Sequence, residues 1–208
     1  MSVNRNMIYG IVAAVCLVAG LGTIDVYLLY HGSDEAGALS PVPSATVGGP
    51  FALQDGDGKT VTDQTYRGKW ELIFFGYTFC PDVCPTTLSA VADALEKLGP
   101  LAGQVQPLFI TVDPKRDTQE VIGAYVKNFD PRIVGLTGSP EAVAGAAKAY
   151  QVYYAPQRTG DGPDDYLMDH SAALYLMNPA GKFVRIFGNN VTGDQLVEKL
   201  RPLLSSTS

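Results

Sequence analysis

The sequence is short of the residues that do most metal and redox chemistry: its 208 residues include three cysteines and two histidines. Cys16 and His31 fall in the N-terminal part, which leaves Cys80, Cys84 and His170 for everything beyond residue 31. A closed structural zinc site wants four sulfur or nitrogen ligands, and this set is one short. Basic residues are also few, 15 Lys and Arg against 21 Asp and Glu, and they are scattered singly. That excludes the clustered basic face of a nucleic-acid binder, so no such partner is expected. No repeat or low-complexity tract interrupts the chain, and a hydrophobic content of 46% is enough to build a core, which excludes a disordered protein.

Charge is missing altogether over the eighteen residues from Met7 to Ile24. A single helix of that length spans a bilayer, with Asp25 near one interface and Tyr27 and Tyr30 in the aromatic belt. The run exceeds the apolar core of a signal peptide and no Ala-x-Ala cleavage site follows, so an uncleaved anchor is favoured. Val15 is too bulky to precede a lipidated cysteine, which leaves Cys16 as an inert thiol in the membrane. Arg5 lies ahead of the run, and Asp34 and Glu35 follow it, so the N-terminus is expected in the cytoplasm and the rest outside. The short lead-in leaves no room for an Arg-rich transit peptide. The expectation is a single-pass protein of the bacterial inner membrane with its C-terminal domain in the periplasm. Residues 1–30 read as the anchor, 31–46 as a small, polar, proline-bearing linker, and 47–208 as one domain.

Within that domain strand and helix signals alternate. Asp55-Gly56-Asp57-Gly58 predicts a hairpin turn. The apolar runs Glu71–Tyr77 and Pro107–Val112 predict buried strands. Leu88, Val91, Ala92, Leu95 and Leu98 share one helical face. Val121, Ile122, Tyr125, Val126 and Phe129 form another, behind a capping box of Asp117 and Glu120. Ser139-Pro140 opens a helix that runs to about Tyr150. Ser171–Met177 and Lys182–Phe187 predict two strands joined by Asn178–Gly181, and Thr192 with Gln195 caps a last helix to about Leu204. Helices must cover both faces of such a sheet, which predicts a three-layer α/β domain.

Pro81 and Pro85 hold the residues before them extended, which predicts Cys80 and Cys84 on a loop with Pro85 at the first helical position. Both sulfurs then sit at the positive end of a helix dipole, which favours thiolate. Two thiolates and one imidazole suit monovalent copper. The same thiols are equally able to close a structural disulfide or to exchange with one. A bridge across so short a loop constrains the unfolded chain little. The three residues between the cysteines, where Cys-x-x-Cys has two, leave room for an ion. Ile73 and Tyr77 stand where a proline and a threonine precede a peroxidatic cysteine, which excludes that chemistry. Redox-active thioredoxins put a cis-proline at the strand facing their cysteines, and no proline lies between Tyr166 and Asn178. His170 there suits metal retention better than docking of a mixed disulfide. The preceding stretch, Pro156–Asp165, reads as a mobile loop able to swing His170. On these residues alone a metal site, a redox pair and a combination of the two all stay open.

Phe79-Cys-Pro-Asp-Val-Cys-Pro85, Thr111-Val-Asp-Pro-Lys-Arg-Asp-Thr118 and Asp169-His170-Ser171 resemble the three signature segments of the Sco/SenC family, in order, within a similarity covering roughly residues 47 to 204. The resemblance implies a thioredoxin-like α/β fold, a central mixed sheet with helices on both faces, behind an N-terminal transmembrane helix. It implies copper, as Cu(I) and also as Cu(II), with Cys80, Cys84 and His170 as its ligands. It further implies a metallochaperone rather than an enzyme. Such a protein is loaded by an upstream periplasmic copper donor and assists assembly of the dinuclear copper centre of cytochrome c oxidase subunit II. Two alternatives accompany it. One is a thiol-disulfide oxidoreductase whose catalytic redox pair, Cys80 and Cys84, reduces the oxidase's copper-site cysteines; the other is a redox or copper sensor. Asp82 and Asp169 are expected at the surface rather than as ligands. Asp113–Asp117, at the C-terminal end of its strand, is expected to cap a turn or to hold the copper loop.

Overall fold

Near-continuous apolar runs make strands that are buried on both faces, and two of them form the centre of this molecule. The computed structural model describes residues 47–205. The expected anchor (1–30) and linker (31–46) lie outside the described residues, among which no helix is long and apolar enough to cross a membrane. A hairpin of β1 (Ala52–Asp55) and β2 (Thr60–Thr62) leads into β3 (Trp70–Gly76), α1 (Val83–Leu98), β4 (Val105–Thr111), α2 (Gln119–Lys127), β5 (Val134–Thr137) and α3 (Pro140–Ala149). A second hairpin of β6 (Tyr154–Arg158) and β7 (Tyr166–His170) follows, then β8 (Leu174–Met177), β9 (Phe183–Phe187) and α4 (Gly193–Ser205).

The main sheet runs β2-β1-β5-β4-β3-β8-β9, and β6 with β7 forms a separate two-stranded sheet. β3, β4 and β5 are parallel and the flanking pairs antiparallel, so the sheet is mixed. Every residue of β3 and β4 is buried. Successive side chains along a strand point to opposite faces. Phe74 accordingly meets Phe109 on one face, with Tyr125 of α2 beyond it, while Phe75 stacks on Tyr150 and Tyr175 on the other. Helices therefore close both faces, α4 packs against α1, and the architecture is the thioredoxin-like one expected.

The predicted turns hold in detail. The Asp55 carboxylate accepts from the amides of Asp57 and Lys59, both at 2.9 Å, and Gly58 takes φ +78° at the hairpin tip. Thr192 and Gln195 cap α4 reciprocally, and Ser139 caps α3 ahead of Pro140. Other expectations are corrected. The N-cap of α2 is Thr118, not Asp117; the Asp117 side chain turns inward instead. β5 went unpredicted because it is short and contains Gly135, where a Cβ would come within 2.9 Å of Ile122 on α2. Pro156–Arg158, read as mobile loop, is strand: β6 pairs with β7 from Tyr154↔His170 to Arg158↔Tyr166. Pro156 is tolerated there because an edge strand leaves one side of its backbone unpaired.

Candidate metal centre

The site forms where β3 ends and α1 begins. Gly76 closes β3, and a Cβ there would lie 2.6 Å from Cys84 Sγ and 2.7 Å from the Phe109 ring, so only glycine lets that sulfur reach the strand end. Such a lone glycine in an apolar strand is the sequence signal of close approach that points to this site. Cys84 is not on the loop: α1 starts at Val83, which puts Cys84 in its first turn and Pro85 one residue later. A proline is harmless there because the first helical amides have no intrahelical acceptor to lose. Cys80 does lie on the loop ahead of the helix.

Cys84 is fully buried and Cys80 is 9% exposed, and both are free thiols. The Cys84 amide, at the helix N-terminus, donates to Cys80 Sγ at 3.4 Å. His170, at the end of β7, brings Nε2 to 3.6 Å from Cys84 Sγ. The ligand atoms of all three residues lie within 4.8 Å of one another. The fold thus brings together the three side chains that sequence reasoning singled out, with 86 positions separating Cys84 from His170. Asp82 and Asp169 are exposed, as expected.

The two thiols are electrostatically unequal. A hydrogen bond from Cys84 pulls the Cys80 thiol down to about 4 against the opposing effect of burial, and His170 and the amides of Asp82 and Cys84 assist. The same bond, with burial, pushes Cys84 well up. At neutral pH the pair is one thiolate beside one thiol. A metal ion held by both sulfurs displaces the remaining proton, which makes binding pH-dependent.

Supports differ among the three side chains. Thr78, two residues before Cys80, donates to the fully buried Asp117 carboxylate through its amide (3.1 Å) and its hydroxyl (2.5 Å). Thr111 at the end of β4 donates to the same carboxylate at 2.6 Å. Burial pushes the Asp117 pKa up while these hydrogen bonds oppose the shift. The His170 ring packs edge-on against Tyr77 (centroids 5.7 Å apart) and Phe74 (6.3 Å). Its Nδ1 is buried with no hydrogen-bond partner among the described residues. A shallow cleft opens beside the trio, lined by Pro81, Val83, Leu167 and Met168.

The donor set fits copper chemically: two sulfurs and one imidazole, in a mostly apolar pocket without a carboxylate among the candidate ligands.

The family model described as SCO1/SenC matches residues 40–205. The mitochondrial SCO1 homolog 1 of Arabidopsis thaliana is 46% identical over 155 residues, 74% of this chain and 46% of its own length. This chain thus spans about half of that relative. A structure of Bradyrhizobium japonicum ScoI with copper bound superposes with a TM-score of 0.70 at 45% identity, covering 75% of this chain and 98% of that one. Yeast Sco1 with copper bound gives 0.71 at 40% identity, covering 77% and 90%. The agreement of fold, three-residue cluster and family model across the same stretch has one meaning: this chain belongs to the SCO1/SenC family.

Proposed function

We propose that this protein is a membrane-anchored copper metallochaperone that carries copper on Cys80, Cys84 and His170. The carrying observation is the convergence of two sulfurs and one imidazole within 4.8 Å, from the start of α1 and the end of β7, which are far apart in sequence. Copper is cargo here, taken from an upstream periplasmic donor and passed on by stepwise exchange of thiolate ligands. Cu(I) is the form such donors select, and Cu(II) is the second form expected. The recipient is the dinuclear copper centre of cytochrome c oxidase subunit II, a reading supported by the three signature segments. The uncharged run Met7–Ile24 supports a single-pass bacterial inner-membrane anchor that holds residues 47–208 in the periplasm above the 31–46 linker.

Each residue has a task. Cys80, already a thiolate, is the first contact for an incoming ion. Cys84 supplies a second sulfur once its proton leaves, and His170 closes the site from β7. The test is Cu(I) affinity of the reduced protein against a competing chelator. His170→Ala should weaken binding by at least about tenfold, in the range by which lost site interactions alter metal affinity. Cys80→Ser should weaken it further. Unchanged affinity in His170→Ala would remove His170 from the ligand set.

One observation favours a second activity for the same residues. A low-pKa thiolate beside a protonated thiol is the arrangement of a nucleophile and its resolving partner. In that reading Cys80 attacks a substrate disulfide, and Cys84 then displaces the mixed disulfide. Two substrate thiols are released as Cys80 and Cys84 become a disulfide. Catalytic reduction of a disulfide substrate, abolished by Cys80→Ser, is the result expected of it.

A further inference from the structure

A histidine that ligates metal normally donates its other ring nitrogen to an acceptor, which fixes the ring. His170 lacks that anchor, its Nδ1 being buried and unpartnered among the described residues. Its strand also stands outside the main sheet, pairing only with β6. Whatever sets the His170 position must therefore act on β7 and on the rings around the imidazole.

Arg116 is placed to do this. Its side chain is 11% exposed and its Nε donates to the buried Asp113 carboxylate at 2.5 Å, which fastens it to the loop after β4. Its Nη1 donates to the carbonyls of Tyr166 (2.9 Å) and Asp164 (3.3 Å), at the start of β7. Its guanidinium lies 3.7 Å from the centroid of the Tyr166 ring, and the Tyr166 hydroxyl donates to Asp113 at 2.9 Å. Phe79, the residue before Cys80 and 56% exposed, lies 4.8 Å from the guanidinium. Tyr77, whose ring packs edge-on to His170, lies at 5.9 Å. One planar cation thus touches the segment that carries Cys80, the strand that carries His170 and the ring beside the imidazole. A guanidinium does this where an ammonium cannot, because it stacks and forks at once.

We propose that Arg116 is a positioning residue for the metal centre, a clasp that sets the separation of His170 from the two cysteines. The inference rests on the copper reading above and adds the group that makes the third ligand available. With the clasp intact, β7 is held against the cysteine loop and Nε2 faces Cys84. Without it, β7 keeps its pairing with β6 but loses its register against α1, and His170 contributes little to binding. Lys115, the preceding residue, contributes a more exposed contact to the same strand: it pairs with Asp164 at 2.9 Å and its ammonium lies 5.8 Å from the Tyr166 ring centroid.

The test is a double-mutant cycle read by Cu(I) affinity of the full chain. Arg116→Met should weaken Cu(I) binding about tenfold, as loss of a ligand-orienting partner does, and should add nothing in a His170→Ala background. Lys148→Met, an exposed change on α3, should match wild type in both backgrounds. The thiolate-to-Cu(II) charge-transfer band of Arg116→Met should move to where His170→Ala puts it, a change that general loosening of the fold does not produce. Unchanged affinity in Arg116→Met, or an equal loss in both backgrounds, overturns the clasp. Should Arg116→Met fail to fold, Tyr166→Leu removes the stacked ring and its hydroxyl bond to Asp113 while keeping the carbonyl that Arg116 bonds, and is read in the same cycle with the same two outcomes. Failure of the copper reading is separate: Cys80→Ser and Cys84→Ser would then bind Cu(I) as wild type does.

Discussion

The two halves of the candidate site stand on different foundations. The cysteine half grows out of the main sheet: β3 is buried along its whole length, Gly76 admits the Cys84 sulfur, and Asp117 pins Thr78 to β4. The histidine half is a two-stranded hairpin, tied to the rest by aromatic edges, the buried Met168, the Tyr166–Asp113 hydrogen bond, the Lys115–Asp164 pair and Arg116. Isolated two-stranded hairpins are only marginally stable in water. In the copper transfer proposed above, His170, the residue with the weaker support, is therefore the one expected to release first.

Three changes break or sharpen this contrast. The largest effect is expected of Phe74→Ala, which removes a ring shared by both halves, since Phe74 packs on Phe109 and faces His170. It should cost about 3–5 kcal/mol of unfolding free energy in denaturant titration, as large-to-small core substitutions do. A cost below about 1 kcal/mol would mean the sheet does not carry the site.

Asp117→Ala comes next. It leaves the Thr78 amide and the hydroxyls of Thr78 and Thr111 without an acceptor; only the Thr111 donor is fully buried and Thr78 can turn to water, so the cost should be about 1–3 kcal/mol in all. Its signature is local: amide exchange should speed up across residues 77–80 while the β6–β7 pairing keeps its protection. Equal loss of protection in both regions would show that the halves are one cooperative unit.

The smallest effect concerns only the sheet. Burial raises Glu71, on β3, to about 7, against the lowering effect of Arg67. A carboxyl whose folded pKa lies above its unfolded value binds more protons in the folded state, so stability is greatest at low pH and falls as pH rises from about 4.5 to about 7. Glu71→Gln should flatten that slope and leave the protein about 1–3 kcal/mol more stable at pH 8 than wild type, relative to their difference at pH 4, by chemical denaturation. A wild-type profile that is flat across this window would contradict the burial argument.

Legibility in the sequence followed how local each signal was. β3, α1 and the caps of α3 and α4 could be read because apolar period and cap residues lie within a few positions of each other. β5 could not, because its glycine records contact with Ile122 rather than strand propensity. The β6–β7 pairing was hidden by Pro156 and the polar Gly-Asp stretch, which look like loop from composition alone. Asp117 looked like a helix cap, and its real partners, Thr78 and Thr111, are side chains brought from other elements.

By itself the sequence determined which donors exist, that two of them share a turn at a helix start, and which family carries that pattern. Those are matters of residue identity and short spacing. Only the tertiary structure decided that His170 comes within 3.6 Å of Cys84, that one thiol is acidic and the other is not, and that Arg116 joins the two halves. Each depends on how strands from distant parts of the chain pack and on what they shield from water, and no local pattern records that.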